Sequence, residues 1–517
     1  MKIDKKNYFL SFIIWSIIII TPELYFYISG IVTDHYQNIG KYSIHFYLII
    51  SNLILLSSII TLPFFLLKKT GSTVYSFILL FIFGLPSLLD FTHLILYDSL
   101  PSTASYIAIF STTKNETIEF IHAYSSLKII FGISGMVLLI SLIIVLIKKV
   151  NFKPLILVIS LIFIVNLINI IWRPHLIYFK NISVYRLLHT YSDYKNEIIK
   201  FNSFSSKHSQ IDVKRNNVPD NETHIVIIGE STSRHHMSLY GYSRITNPRL
   251  SALKKELIII DNVSSSAVTT VESLKDVLIL RDSTGIETNF TLLDVLKKVG
   301  FKVYWISNQQ FMENGYHLVS AIANRADKKI FLNNLNHFTY DEAIIPNLKE
   351  VLKDSINKKV IFIHLMGCHT DYKNRYPSAF NYFTSKSLNK NKIKAEVIDN
   401  YDNAVRYNDF VVSEIIRNVK QINGCVSLVY FSDHGEEVYD YRDFYGHADV
   451  SLSKYMVDIP FIIWGNKCFM SNNENHQESS NAKQIFSLKE FSLSYLSFLD
   501  IHLTDIRPSK SRLIPMY

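Results

Sequence analysis

Apolar positions crowd the chain before Trp172, in runs too long to be core elements of a soluble domain. Five such runs stand out: Tyr8–Gly30, Ser43–Leu67, Thr73–Tyr97, Ile129–Ile147 and Pro154–Trp172. The fourth, IIFGISGMVLLISLIIVLI, carries no charge. A helix of about 20 such residues crosses the hydrocarbon core of a bilayer, so each run predicts a membrane span. Lysines collect in alternate loops: Lys2, Lys5 and Lys6 before the first run, Lys68 and Lys69 after the second, Lys148, Lys149 and Lys153 between the fourth and fifth. That side is expected to face the cytoplasm. Everything after Trp172 then lies on the opposite side, the periplasm in a Gram-negative cell. The first run has no small-residue cleavage site behind it, so a cleavable signal peptide is not expected.

Beyond the runs the pattern changes twice. Residues 173–204 mix aromatic and charged positions (HLIYFKNISVYRLLHTYSDYKNEIIKFNSF), as helices lying on a membrane face do. Ser205–Thr223 is polar and without period, and reads as a linker. From His224 onward, short apolar runs alternate with helical patterns. HIVIIG, KVYWIS, KVIFIHLMG, VSLVYFSDHG and IPFIIWG predict buried strands; Asn289–Gly300 and Tyr401–Lys420 predict helices between them. This alternation predicts an α/β domain with a mainly parallel central sheet, covered on both faces. The expected organisation is therefore a transmembrane domain of five helices over 1–172, interfacial helices and linker over 173–223, and an α/β domain over 224–517.

Charge and cysteine content alter this picture little. The formal net charge of +9 includes the loop lysines, so it is no argument for nucleic acid, and the remainder suits contact with anionic lipid. Three cysteines, Cys368, Cys425 and Cys468, exclude a disulfide framework. Cys425 and Cys468 each sit beside a predicted strand, which leaves open either one bridge between them or free thiols.

The chemistry lies at the strand ends, where open α/β sheets build their sites. One predicted strand runs into Gly229–Glu230–Ser231, another into Ser432–Asp433–His434–Gly435, a third into His364 and then His369. A single Asp-His pair after a strand is ordinarily a turn. Three such ends in one domain point instead to a shared site for Zn²⁺, which favours carboxylate and imidazole ligands. Glu23, Asp90 and His93 lie near predicted span ends, where ionisable groups serve either function or simple contact with water.

GESTSRHHMSLYGYSRITNP (Gly229–Pro248) resembles the first motif of the phosphoethanolamine transferases, membrane enzymes of the alkaline phosphatase/sulfatase superfamily that modify lipid A or lipopolysaccharide core sugars. HTDYKNRYP (His369–Pro377), YDNAVRYND and SDHGEE followed by YGHA resemble their later motifs, in the same order. The resemblance implies an inner-membrane, multi-pass protein with a zinc-dependent periplasmic domain. It implies a phosphatidylethanolamine donor, a lipopolysaccharide or lipid A acceptor, and a covalent phospho-threonine intermediate. Aligned on the family pattern, NVSSSAVTTVESL puts Thr270 at the nucleophile, with Thr269 its nearest rival. A hydroxyl at a helix start meets free N–H groups that favour phosphate, though the same position also suits a plain helix cap. Glu230, Thr270, Asp433 and His434 would hold zinc; His369 and His447 would contact the phosphoryl group or a second zinc and move protons. Glu116 and Thr112, in FSTTKNETIEF, match a stretch that helps hold the lipid donor. His235 and His236 match no ligand position and are expected to pack near the site. Ser231 and Thr232 are expected to begin the next helix. Ser266 stands where one branch of the family has a cysteine.

Three alternatives stand beside this reading. A phosphoglycerol transferase shares the threonine chemistry. A sulfatase needs Cys/Ser-x-Pro-x-Arg, which TTVESLK lacks. A non-catalytic membrane sensor or scaffold would have no reason to keep every expected ligand.

Overall fold

The computed structural model describes residues 69–124, 182–203, 212–215, 218–281, 285–311, 317–334, 338–385, 392–472 and 486–503, with isolated positions between 14 and 67 and residue 134. The fifth expected span, the fourth except residue 134, most of the first two, and Glu23 lie outside the described residues. The chain divides into two compact units. One comprises Met1–Ile107 and Tyr124–Tyr194, the other Ala108–Ala123 and Lys195–Tyr517.

In the first unit the third apolar run is helical. Among the described residues, one helix, Thr70–Tyr97, is long and apolar enough to cross a membrane. Its 28 residues extend about 42 Å at the α-helical rise. Val74, Phe77, Ile78, Phe81 and Ile82 are exposed along it, which water would penalise and lipid would not. Its polar residues are matched. Buried Asp90 accepts from the Tyr106 hydroxyl and from Arg186, both at 2.5 Å. His93 faces the Ser99 carbonyl at 2.7 Å and the Ser105 hydroxyl at 3.2 Å.

The second unit is built on a seven-stranded sheet. We label its strands β1 (Glu222–Gly229), β2 (Ile258–Ile259), β3 (Lys302–Gln310), β4 (Lys328–Asn333), β5 (Lys358–His364), β6 (Cys425–Ser432) and β7 (Phe461–Gly465). Their order is β2-β7-β6-β1-β5-β3-β4. The five strands from β6 to β4 are parallel; β7 and β2 are antiparallel at one edge, so the sheet is mixed. β1 and β6 are buried at every residue, as expected of strands with both faces covered. Ile225, Ile227, Ile361, Ile363, Val426 and Leu428 pack with Tyr401, Val405, Val412 and Ile416 in one core. Each such side chain contributes about 1.5–3 kcal/mol by leaving water, so the sheet centre is the rigid part of the unit.

The alternating pattern found five of these strands and missed β2 and β4. β2 is two residues long, and β4 begins with two exposed lysines. The helix expected from Asn289 starts at Leu292, because Glu287–Thr291 pairs as a strand with Ile279–Arg281. Thr291 and Asp294 then close a reciprocal cap. The helix expected from Tyr401 begins already at Lys392. The linker also contains structure: Val213–Arg215 pairs antiparallel with Ile501–Leu503. Cys425 and Cys468 form a disulfide, Cα atoms 5.0 Å apart, and Cys368 is a buried free thiol.

Candidate active site

Three neighbouring strands deliver the polar residues. In register, Ser432 of β6 lies beside Gly229 of β1, and Ile228 of β1 beside His364 of β5. Parallel pairing without slippage therefore puts Glu230, Asp433–His434 and the His364–His369 loop at one edge of the sheet. Glu230, Asp433 and His434 each offer a ligand atom within 4.8 Å of the others. All three are buried.

The loops that carry them approach closely. Gly367 has φ +54°, and a Cβ there would lie 2.6 Å from the Glu230 carbonyl oxygen. Only glycine allows this crossing. The amides of Met366 and Gly367 donate to Asp341 at 2.9 Å each, locking the turn. Gly435, directly after His434, is equally constrained: a Cβ would sit 2.3 Å from the Tyr455 carbonyl oxygen. Ser231 has φ +54°, and no helix starts there. The expectation that Ser231 and Thr232 open a helix is thus corrected; a single 3₁₀ turn begins at Arg234. The reason is that their groups are drawn elsewhere. Ser231 N–H donates to Asp433 Oδ1 (3.1 Å) and Thr232 N–H to Ser432 Oγ (2.8 Å).

Thr270 opens the helix Thr270–Leu278, and Thr269 is its N-cap. The Thr269 side chain makes no capping hydrogen bond. Val271, Leu274, Val277 and Leu278 bury one face, and Ser273 Oγ donates to the Asp433 carbonyl at 2.6 Å. This seats the helix start on the site. The Thr270 hydroxyl donates to Glu230 Oε2 at 3.0 Å. Gln309, at the end of β3, donates to the same oxygen at 3.1 Å and to the Leu365 carbonyl.

The tautomers follow from the partners. His434 Nδ1 is 2.9 Å from the Gly435 carbonyl, so that nitrogen carries a hydrogen. Its Nε2 lies 3.3 Å from Glu230 Oε1 and 3.5 Å from Asp433 Oδ2, not aligned as a hydrogen bond to either. Asp433 Oδ1 accepts two backbone amides, and Oδ2 has no hydrogen-bond partner among the described residues. Two carboxylates and an imidazole nitrogen, buried and facing each other, could hold a divalent cation. With protons alone, burial pushes Asp433 up, and the adjacent Glu230 charge adds to that. For His434, burial works downward, but the Asp433 and Glu230 charges outweigh it and hold the ring cationic to about pH 10.

His447 and Glu436 complete a second triad around His434. His447 Nδ1 is 2.6 Å from Glu436 Oε2, and the His447 and His434 rings are 4.3 Å apart. Tyr372 donates to the other Glu436 oxygen at 2.6 Å. His369 is anchored through Nδ1 to the Thr370 carbonyl at 2.6 Å. His364 is buried, and its Nε2 has no hydrogen-bond partner among the described residues; burial lowers its pKa to about 4.

Glu116 and Thr112 lie in the same unit, on the segment Ala108–Ala123. Glu116 Oε2 accepts the Thr113 amide at 2.6 Å and the Glu116 amide donates to Thr113 Oγ1 at 3.3 Å, a reciprocal cap on the helix Lys114–Tyr124. The Thr112 hydroxyl donates back to the Ala108 carbonyl at 2.7 Å.

His236 is a buried ion-pair residue, 2.6 Å from Asp402 and 3.2 Å from Asp440. His235 pairs with Asp458 at 2.8 Å. Sequence reading missed Glu436, Gln309, Arg375 and Asp341. Glu436 was within reach, since it stands inside SDHGEE; Gln309 was hidden because β3 runs three residues beyond the expected strand KVYWIS.

The mixed α/β sheet thus carries a buried acid–acid–imidazole cluster at its carboxyl edge, with a hydroxyl at an adjoining helix start. The Sulfatase family profile matches residues 222–488, just over half of the chain, and the chain belongs to that family. Phosphoethanolamine transferase EptC of Escherichia coli K12 is 33% identical over 312 residues, 57% of this chain and 54% of that protein. Phosphoethanolamine transferase CptA of Salmonella typhimurium is 34% identical over 259 residues, 47% of this chain and 44% of that one. The chain thus spans about half the length of the curated relatives it matches. The crystal structure of the C-terminal periplasmic domain of E. coli EptC in complex with zinc superposes with a TM-score of 0.54 at 31% identity, over 59% of this chain and 90% of that one. The integral membrane protein lipooligosaccharide phosphoethanolamine transferase A of Neisseria meningitidis shares the fold over 98% of this chain and 97% of its own, with a TM-score of 0.65 and 20% identity. The resemblance read from the four motifs is borne out by these relatives.

Proposed function

We propose that this chain is a phosphoethanolamine transferase, moving phosphoethanolamine from phosphatidylethanolamine to a lipopolysaccharide acceptor, lipid A or a core sugar. The observation that carries the reading is the Thr270 hydroxyl, at a helix start and 3.0 Å from Glu230 in the open acid–imidazole cluster. Relatives named phosphoethanolamine transferase over this same region supply the transferred group.

Glu230, Asp433, His434 and Thr270 would hold Zn²⁺, the tetrahedral number of ligands. Zinc there supplies Lewis-acid stabilisation of phosphoryl oxygens and lowers the pKa of the threonine hydroxyl. Thr270 gives up its hydroxyl proton as Oγ attacks the phosphorus of the donor, the bond from phosphorus to the diacylglycerol oxygen breaks, and that oxygen takes a proton. Phosphoethanolamine is left on Thr270. An acceptor hydroxyl then attacks phosphorus, giving up its proton, the bond to Thr270 Oγ breaks, and Oγ takes a proton to restore the hydroxyl. His447 and His369 are suited to the proton transfers. Each has its Nδ1 fixed, on Glu436 and on the Thr370 carbonyl, which leaves Nε2 to give or take a proton. The free N–H groups of the helix start favour the phosphoryl charge. Glu116 and Thr112 belong to the donor seat in this reading. Five spans over 1–172 and an inner-membrane, periplasm-facing placement fit a donor and an acceptor that are both lipids.

Diacylglycerol release from phosphatidylethanolamine by the full chain, wild type against Thr270→Ala, tests the reading. Loss of release is expected, and undiminished release sinks it. Mass spectrometry of the product separates a phosphoethanolamine gain from a phosphoglycerol gain and localises it to lipid A or core.

A further inference from the structure

Arg375 is 3% exposed, yet it sits in a loop with little regular structure of its own. Its donors are spent on the main chain around His369. Nε donates to the His369 carbonyl and one terminal nitrogen to the Thr370 carbonyl, each at 2.8 Å. The Thr370 carbonyl is also the anchor of the His369 ring. One guanidinium therefore holds both the backbone at His369 and the atom that orients its imidazole.

A buried guanidinium needs a counter-ion, and Arg375 takes it from Glu119. Glu119 stands on the helix Lys114–Tyr124, three residues after Glu116 and so on the same side of that helix. This helix is the segment that sequence puts between the third and fourth expected spans, and it clusters with the α/β unit. A chain of direct contacts thus runs from the helix bearing the proposed donor-holding Glu116, through Glu119 and Arg375, to His369.

We propose that Glu119 is a positioning residue. Through Arg375 it sets the His369 imidazole, so that seating of the donor helix and placement of the proton-transfer group are one event. The inference rests on the transferase reading for its consequence in turnover, and on geometry alone for the link.

The test uses the full chain in nanodiscs containing phosphatidylethanolamine, with diacylglycerol release as readout. Glu119→Gln is expected to lower kcat roughly 10- to 100-fold, the range for a misplaced acid–base group, with KM for the lipid little changed. Glu119→Asp, which keeps the charge, is expected to recover part of kcat. In an Arg375→Gln background there is no buried charge to pair, so Glu119→Gln is expected to add nothing. A raised KM with unchanged kcat would overturn the proposal in favour of direct lipid contact, and additive losses in the double variant would overturn it in favour of independence. Hydrogen exchange of the peptide spanning 366–377 judges the link without activity. Faster exchange in Glu119→Gln supports it, and unchanged exchange refutes it whatever Thr270→Ala does.

Discussion

Strand β1 carries a buried glutamate at its start and another just past its end, and the two have opposite surroundings. Glu222 receives two 2.6 Å hydrogen bonds from Arg215 and one contact of 3.1 Å from His224, whose other nitrogen meets Ser427 at 2.8 Å. Burial would raise its pKa, but Arg215 and then His224 outweigh this and hold it at about 2. Every charge there is matched inside the protein. Among the described residues, Glu230 faces Asp433 and His434 with no arginine or lysine among its hydrogen-bond partners, and two of the facing atoms have no hydrogen-bond partner. Burial and residue type are nearly the same at both ends. What distinguishes a site from a structural cluster is the unmatched donor set, not the presence of a buried carboxylate or histidine. His236, closed between Asp402 and Asp440, falls on the structural side of that line.

The comparison can be broken most sharply at the open end. Thr270→Ala is expected to reduce diacylglycerol release by about 10³-fold or more, the scale of losing a nucleophile. The chain should remain folded, because the Thr270 hydroxyl is not the helix cap. Asp433→Asn is expected to cut zinc affinity by at least 10- to 100-fold, since it removes a ligand charge from a set of few. Glu222→Gln should leave zinc stoichiometry unchanged by elemental analysis; equal zinc loss from both would erase the distinction between the two ends. Glu222→Gln instead leaves Arg215 buried without its partner and is expected to destabilise by about 3–5 kcal/mol in denaturant unfolding.

Smaller effects come from pH. At His236 burial works downward, but Asp402 and then Asp440 outweigh it and raise the ring to about 9. A raised histidine stabilises fully below its unfolded value of about 6.5 and loses that contribution as pH rises through 9. Melting temperature is therefore expected to fall between about pH 6.5 and 9 in the wild type and to fall less in His236→Gln. A parallel decline in both would show that another group titrates there. Glu222 behaves in the opposite sense: its contribution is present above about 4.5 and is lost as pH falls toward 2.

Much of this arrangement was legible in the chain itself. Unbroken apolar strands ending in Glu230, in Asp433–His434 and in His364 announced an α/β sheet with chemistry at its carboxyl edge, because parallel strands are apolar throughout and polar residues collect where they stop. Sequence also marked Thr270 as a hydroxyl at a helix start. The long-range choices were not legible. That β6, β1 and β5 are neighbours, in a register that brings residues some 200 positions apart into contact, is decided by packing of the whole sheet. So is the antiparallel edge of β7 and β2, since nothing local distinguishes a buried antiparallel strand from a parallel one. The sequence by itself determined which groups could react and that they would stand at strand ends. Only the tertiary structure decided which of them face one another unmatched and which are closed off in ion pairs. The physical reason is that period and propensity act over a few residues, whereas charge matching depends on whatever the fold brings within hydrogen-bond reach.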